Sequence, residues 1–148
     1  MPMRDGRRGC RWLVTLTNRQ RKQPVDLKEL SAFLQRLPRL PAARVRRVHV
    51  ALVSDRVIAA LNRRHLGRCG ATDVLAFRLS RASGELVISA ETASRNAAAY
   101  GRPLMDELAL LVVHGLLHLC GFDDSTGAKR RLMQRKQNTV MAAIRRGA

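Results

Sequence analysis

The chain has 148 residues, the size of one domain, and 46% hydrophobic with 26% charged residues suffices for a packed core without disulfide staples. Lys and Arg number 28 against 11 Asp and Glu, and the formal charge of +17 points to a polyanionic partner, nucleic acid or an anionic membrane face. Aromatic residues at 3% argue against a base-stacking sheet, and three scattered cysteines (Cys10, Cys69, Cys120) without a Cys-x-x-Cys pair argue against a disulfide framework or a Cys-rich zinc finger.

Residues 1–10 read as a basic tail ahead of a single domain over 11–148. Arg11 to Asn18 reads as a strand with Trp12, Val14 and Leu16 on one side, followed by a basic loop from Arg19 to Pro24. Asp26 caps a helix carrying Leu27, Leu30, Phe33, Leu34 and Leu37, which Pro38 and Pro41 end. Val45 to Val53 is a second strand, with Val48, Val50 and Leu52 facing one way. Ser54 caps a short helix bearing Val57, Ile58 and Leu61, and Asn62 to Thr72 reads as a polar loop. Asp73 to Leu79 is a strand, Ser83-Gly84 a turn, and Glu85 to Ser89 a further strand. Ser89 caps an Ala-rich helix over Ala90 to Tyr100 that stops at Gly101. Pro103 opens the next helix, which runs to about Leu119 and breaks at Gly121. Ser125 or Thr126 caps a last basic helix with Leu132, Met133, Val140 and Ile144 on its apolar face. The order β-α-β-α-β-β-α-α-α predicts an α+β domain, a small mixed sheet packed by helices.

The basic start leads into Trp12 to Thr17, shorter than the apolar core of a signal peptide, and Leu108 to Phe122 is too short to span a bilayer. A soluble, cytoplasmic protein without a membrane partner is the expectation.

The sharpest pattern is His114-Gly-Leu-Leu-His118-Leu-Cys-Gly121-Phe-Asp123-Asp124. Two of the four histidines lie four apart on a predicted helix, separated by about 40° around its axis and about 6 Å along it. Both rings can point at one ion. Gly121 permits a sharp turn, after which Asp124 stands at the offset of the third ligand in the metzincin pattern. Two imidazoles and a carboxylate suit Zn²⁺ with one position open, and other divalent metals share these ligand types. Asp123 or Asp124 could instead cap the following helix, and Cys120, about 200° round from His118, reads as buried rather than ligating. Gly115 stands where a metzincin protease carries its general-base Glu, so the metal frame is present without the peptidase base. The nucleophile then expected is a metal-held water.

These residues resemble the signature of the YbeY endoribonuclease family, H-G-x-L-H-L-x-G-[YF]-D-H. Leu61-Asn62, followed by Thr72-Asp73-Val74-Leu75-Ala76-Phe77, is similar to the family's L-N-x-x-[YF]-R…P-T-[DN]-V-L-S-F, and Gly84-Glu85-Leu86-Val87-Ile88-Ser89 to its G-D-I-V-I stretch. The resemblance implies a metal-dependent, single-strand-specific endoribonuclease of rRNA maturation and ribosome quality control, acting at the small subunit. It places metal ligands on His114 and His118, with Asp124 in place of the family's third His. The family Arg falls on Leu66, which leaves Arg64 or Arg68 to supply its phosphate contact, and Ala71 and Ala76 replace a Pro and a Ser.

Phosphodiester hydrolysis needs a nucleophile, charge neutralisation and a proton for the leaving oxygen. Catalytic candidates are His114, Arg64 and Arg68, and RNA-binding candidates are Arg63, Arg64 and Arg68. Attack by the RNA 2′-OH instead of water stays open. Glu107, seven residues before His114 on a similar helix face, has a catalytic and a structural reading, and Thr72-Asp73 reads as a turn-fixing pair. Basic clusters at Arg19–Lys22, Arg44–Arg47, Arg63–Arg68, Lys129–Lys136 and Arg145-Arg146 form an expected RNA-tracking surface. A basic, non-catalytic ribosome-assembly factor with a structural metal and a degenerate metzincin-like peptidase are the competing functions.

Overall fold

The computed structural model describes residues 12–39 and 45–147. The expected basic tail, Cys10, Pro41 and Arg44 lie outside them. The elements run β1 (Leu13–Asn18), α1 (Leu27–Leu34), β2 (Arg47–Val53), α2 (Asp55–Leu66), β3 (Val74–Arg78), β4 (Ser83–Ser89), α3 (Ala90–Tyr100), α4 (Leu104–Leu119) and α5 (Gly127–Arg146). Strands β1, β2 and β4 pair in parallel, and β3 pairs antiparallel with β4, giving the order β1-β2-β4-β3. The predicted α+β class and mixed sheet are thus what the chain forms.

Strand alternation sorts the core into two layers. Val48, Val50, Leu52, Leu86 and Ile88 face one way and pack with residues of α1, α4 and α5. Ala51, Val53, Leu75 and Val87 face the other way and pack with Ile58 and Leu61 of α2. β2 and β4 are therefore covered on both faces, which is why their apolar residues run nearly without interruption. α4 is the central helix: ten of its residues are buried, against two in α1. Among the described residues no helix is long and apolar enough to cross a membrane.

Several boundaries differ from the sequence expectation, each for a local reason. Asn62 does not begin a loop: α2 continues through it to Leu66, and Gly67 ends the helix at φ 62°. The Asn62 side chain is buried and donates to the Gly70 carbonyl at 3.1 Å, so it serves the helix rather than a solvated turn. Ser83-Gly84 is not the turn but the start of β4, in register with Arg47 and Val48 of β2. The turn lies one step earlier, where the amides of Leu79 and Ser80 donate to the Ser83 carbonyl. Thr126 rather than Ser125 caps α5, its hydroxyl accepting from the Lys129 amide at 3.1 Å. Leu132 is 50% exposed, and Gln137 and Met141 join Met133, Val140 and Ile144 on the buried face.

One polar strap joins the helices at the end of the sheet. Asp55, at the start of α2, accepts from Ser89 and Thr92 hydroxyls at 2.6 Å each and from Arg95 at 2.8 Å. These donors hold its carboxyl below the usual range against the opposing effect of burial, which is the largest single influence.

Candidate metal centre

The centre is built on the last turns of α4 and the segment that follows. α4 is wedged against β4 at Gly115, where a Cβ would stand 2.6 Å from a Leu86 methyl. That contact turns Gly115 to the sheet and leaves His114 and His118, on the neighbouring face, half-buried. Their Nε2 atoms are 3.1 Å apart. Gly121, at φ 99°, then reverses the chain and returns Asp124 to the pair. One ligand atom from each of His114, His118 and Asp124 lies within 4.8 Å of the others, so the three form a group that could hold a metal ion.

The hydrogen bonds decide which ring atoms are offered. Gln137 of α5 presents Oε1 to His114 Nδ1 at 3.0 Å, so Nδ1 is the donor and Nε2 carries the lone pair. The His118 ring hydrogen-bonds to the Phe122 backbone. With Nδ1 engaged, the His114 Nε2 lone pair faces His118 Nε2, and a cation held between two such ring nitrogens would replace that hydrogen bond. Nitrogens bound tetrahedrally to one zinc ion stand about 3.3 Å apart, which the observed spacing matches. Burial, reinforced by His114, holds His118 below the ordinary imidazole range, favouring the neutral form that ligation requires. The residues present therefore fit a divalent ion.

The two aspartates divide their roles. Asp123 accepts from the Ser125 amide at 3.0 Å and its hydroxyl at 2.7 Å, and Lys129 lies 3.4 Å away. The Ser125 bonds hold the Asp123 carboxyl below the usual range. Asp124 is the one that joins the histidines. Cys120 is outside the group, and burial pushes its thiol up.

His114 also opens on a cavity of about 570 Å³ between α3, α4 and α5. Its walls include Asp73, Asn96, Arg102, Glu107 and Arg145. Asp73 accepts from the Val74 amide at 2.8 Å, the turn-fixing part expected of it, and its second oxygen faces the Asn96 amide at 3.5 Å. Burial raises the Glu107 carboxyl, and nearby Arg102 pulls it back. Arg63, Arg64 and Arg68 are exposed and line no wall of this cavity. They lie at the C-terminal end of α2, the helix that covers the opposite face of the sheet from α4. The cations on the cavity are instead Arg102 and Arg145. The sequence left Gln137, Asn96 and Arg102 unseen as site residues, because no spacing rule ties them to the histidines, and it read Arg145 only as part of a basic cluster. His65 packs edge-on against Phe77 at 5.3 Å.

Fold and site together define a small α+β protein with a helix-borne His-His-Asp centre beside a polar cavity. Residues 15–145 match the family model described as Endoribonuclease YbeY. An Endoribonuclease YbeY of Syntrophus aciditrophicus is 34% identical over 138 residues, covering 86% of each chain. One from Moorella thermoacetica is 35% identical over 150 residues, covering 88% of this chain and 96% of the relative. The solution structure of TM1509 from Thermotoga maritima matches with a TM-score of 0.63 at 26% identity, over 89% of both chains. The chain belongs to the YbeY endoribonuclease family.

Proposed function

We propose that the chain is a metal-dependent endoribonuclease that cuts single-stranded RNA, acting in the cytoplasm on rRNA during maturation and quality control of the small ribosomal subunit. Zn²⁺ is the proposed ion, held by His114, His118 and Asp124. Family membership supports the reaction class, and the observation that carries the metal assignment is the convergence of those three side chains, two of them with matched ring nitrogens 3.1 Å apart.

A bound divalent ion would supply Lewis acidity toward a phosphoryl oxygen and acidify water at its open position. The protein's own part is positional. Gln137 fixes the His114 ring, and the Phe122 backbone fixes that of His118. Asp124 adds a negative charge to the ligand set that a third imidazole would lack. The cavity beside His114 seats the nucleotide, with Arg145 as the cation at hand for phosphate. Arg63, Arg64 and Arg68 belong to the proposal as outlying RNA contacts.

The test compares cleavage of a single-stranded oligoribonucleotide by zinc-loaded protein, by chelated protein and by Asp124→Ala and His114→Ala variants whose folding is checked by circular dichroism. Loss of cleavage in folded variants, with loss of bound metal, is expected. If both variants unfold, the metal is structural, and the assembly-factor reading takes over. If chelation leaves cleavage unchanged, the metal-dependent mechanism is wrong.

A further inference from the structure

Glu107 and His114 sit on the same helix and line the same cavity. Seven residues of α-helix separate them by about 10 Å, close to the reach from a phosphate to the far edge of its own base. Glu107 is 3% exposed, and its Oε2 accepts no hydrogen bond. Burial raises the carboxyl, with Asp73 adding to it, and the ion pair to Arg102 Nη1 at 3.4 Å together with the Asn96 bond pulls it back. The Asn96 side chain hydrogen-bonds the carboxyl, which leaves Oε2 as a buried acceptor without a hydrogen bond, a costly state. Asp73 lies at the same end of the cavity, its Oδ2 3.5 Å from the Asn96 amide. The cavity therefore has the Glu107 and Asp73 carboxyls, with Asn96 and Arg102 beside them, at one end and the ligand His114 at the other.

An ionised carboxylate only accepts. Opposite that form, what fills the Glu107 end must bring hydrogen-bond donors, N–H or O–H. Among the RNA bases guanine alone sets a ring N–H beside an amino group, N1–H and N2–H₂, a fork that both oxygens of one carboxylate can accept. Adenine and cytosine place their amino group beside a ring-nitrogen lone pair, and uracil flanks its N–H with two carbonyls. Each turns an acceptor toward the carboxylate.

Resting on the endoribonuclease reading, we propose that this cavity is a guanosine subsite, in which Glu107 accepts from the guanine edge while the phosphate of the same nucleotide lies toward His114. Arg145, on the cavity wall, is the cation for the phosphate side.

The experiment uses the zinc-loaded full chain and oligouridylates carrying a single G, A, C or inosine at one position. kcat/KM for cleavage beside the variable position is measured, with the all-uridine oligomer as reference. The G oligomer should exceed the A, C and U oligomers by about tenfold or more, the worth of a hydrogen bond to a charged group. Inosine, which lacks the N2 amino group, should fall about tenfold below guanosine. Glu107→Gln should bring the guanosine value down to that of uridine, with its metal content unchanged. The inosine comparison stands on wild-type protein and so survives a variant that fails to fold. Equal cleavage of all bases, or of inosine and guanosine, overturns the subsite and leaves the nuclease reading intact. No cleavage of any oligomer overturns the nuclease reading, and the subsite falls with it.

Discussion

Gln137 shows how much of the centre depends on one side chain from another helix. It is 7% exposed in an otherwise basic α5, and its oxygen lies 3.0 Å from His114 Nδ1. Replacing it with Leu removes the acceptor that fixes the ring and leaves a polar N–H facing an apolar group. Zinc affinity should fall by about 10- to 100-fold, while Gln137→Glu, which keeps an acceptor, should stay near wild type. Competition against a chromophoric chelator measures both, and equal affinity for the Leu variant would show that Gln137 does not set the ring. The ligands themselves were legible in the sequence, because helix periodicity relates His114 to His118 and Gly121 fixes the return of Asp124. Gln137 was not, since no spacing rule connects position 137 to the histidines. The choice between Asp123 and Asp124 was equally open until Ser125 was seen to engage the first of them.

At the scale of elements, α4 reaches its depth because two glycines remove side chains from its contact with β4. A Cβ on Gly115 would meet Leu86 methyls at 2.6 and 2.9 Å, and one on Gly84 would meet Leu119 methyls at 2.6 and 3.0 Å. Leu86 is fully buried and Leu119 is 4% exposed, so neither can swing into solvent. On helix propensity alone Gly115→Ala would gain about 1 kcal/mol. Overpacking costs about 1–3 kcal/mol and should win, giving a net loss of stability in urea denaturation. Stabilisation by the variant would mean that the helix has room to spare. The same contact explains why Gly115 could not be weighed from sequence: it reads there as a missing protease base, whereas in the fold it is a packing position. The peptidase alternative weakens accordingly, since a Glu introduced there would run into Leu86. Helix caps at Asp26, Ser54, Ser89 and Gly101 were all visible, because each rests on a residue's own backbone chemistry. The extension of α2 through Asn62 was not, because it depends on a bond from Asn62 to Gly70 that only the folded loop supplies.

For the whole molecule the deciding quantity is how the excess of 17 positive charges is distributed. Several acids are spent internally: Asp55 on Ser89, Thr92 and Arg95, Asp123 on Ser125 and Lys129, and Glu107 beside Arg102. Among the described residues the cations are mostly left outward. α5 alone carries Lys129, Arg130, Arg131, Arg135, Lys136, Arg145 and Arg146 and no acid, and all of these except Lys136 are exposed. Such a surface binds single-stranded RNA largely by releasing counterions, so log K should fall by about 0.7 per contacted phosphate for each decade of salt. With about five phosphates engaged, affinity drops about a hundredfold between 50 and 200 mM salt. Changing Arg130, Arg131 and Arg135 together to Ala should flatten that slope by up to about 2 units, and it should weaken G-containing and U-only oligomers alike, because phosphate contacts carry no base information. Binding is measured by fluorescence anisotropy with chelator present, so that cleavage does not intrude. A slope near zero in the wild-type chain would show that the positive charge serves something other than RNA, whatever the metal centre does.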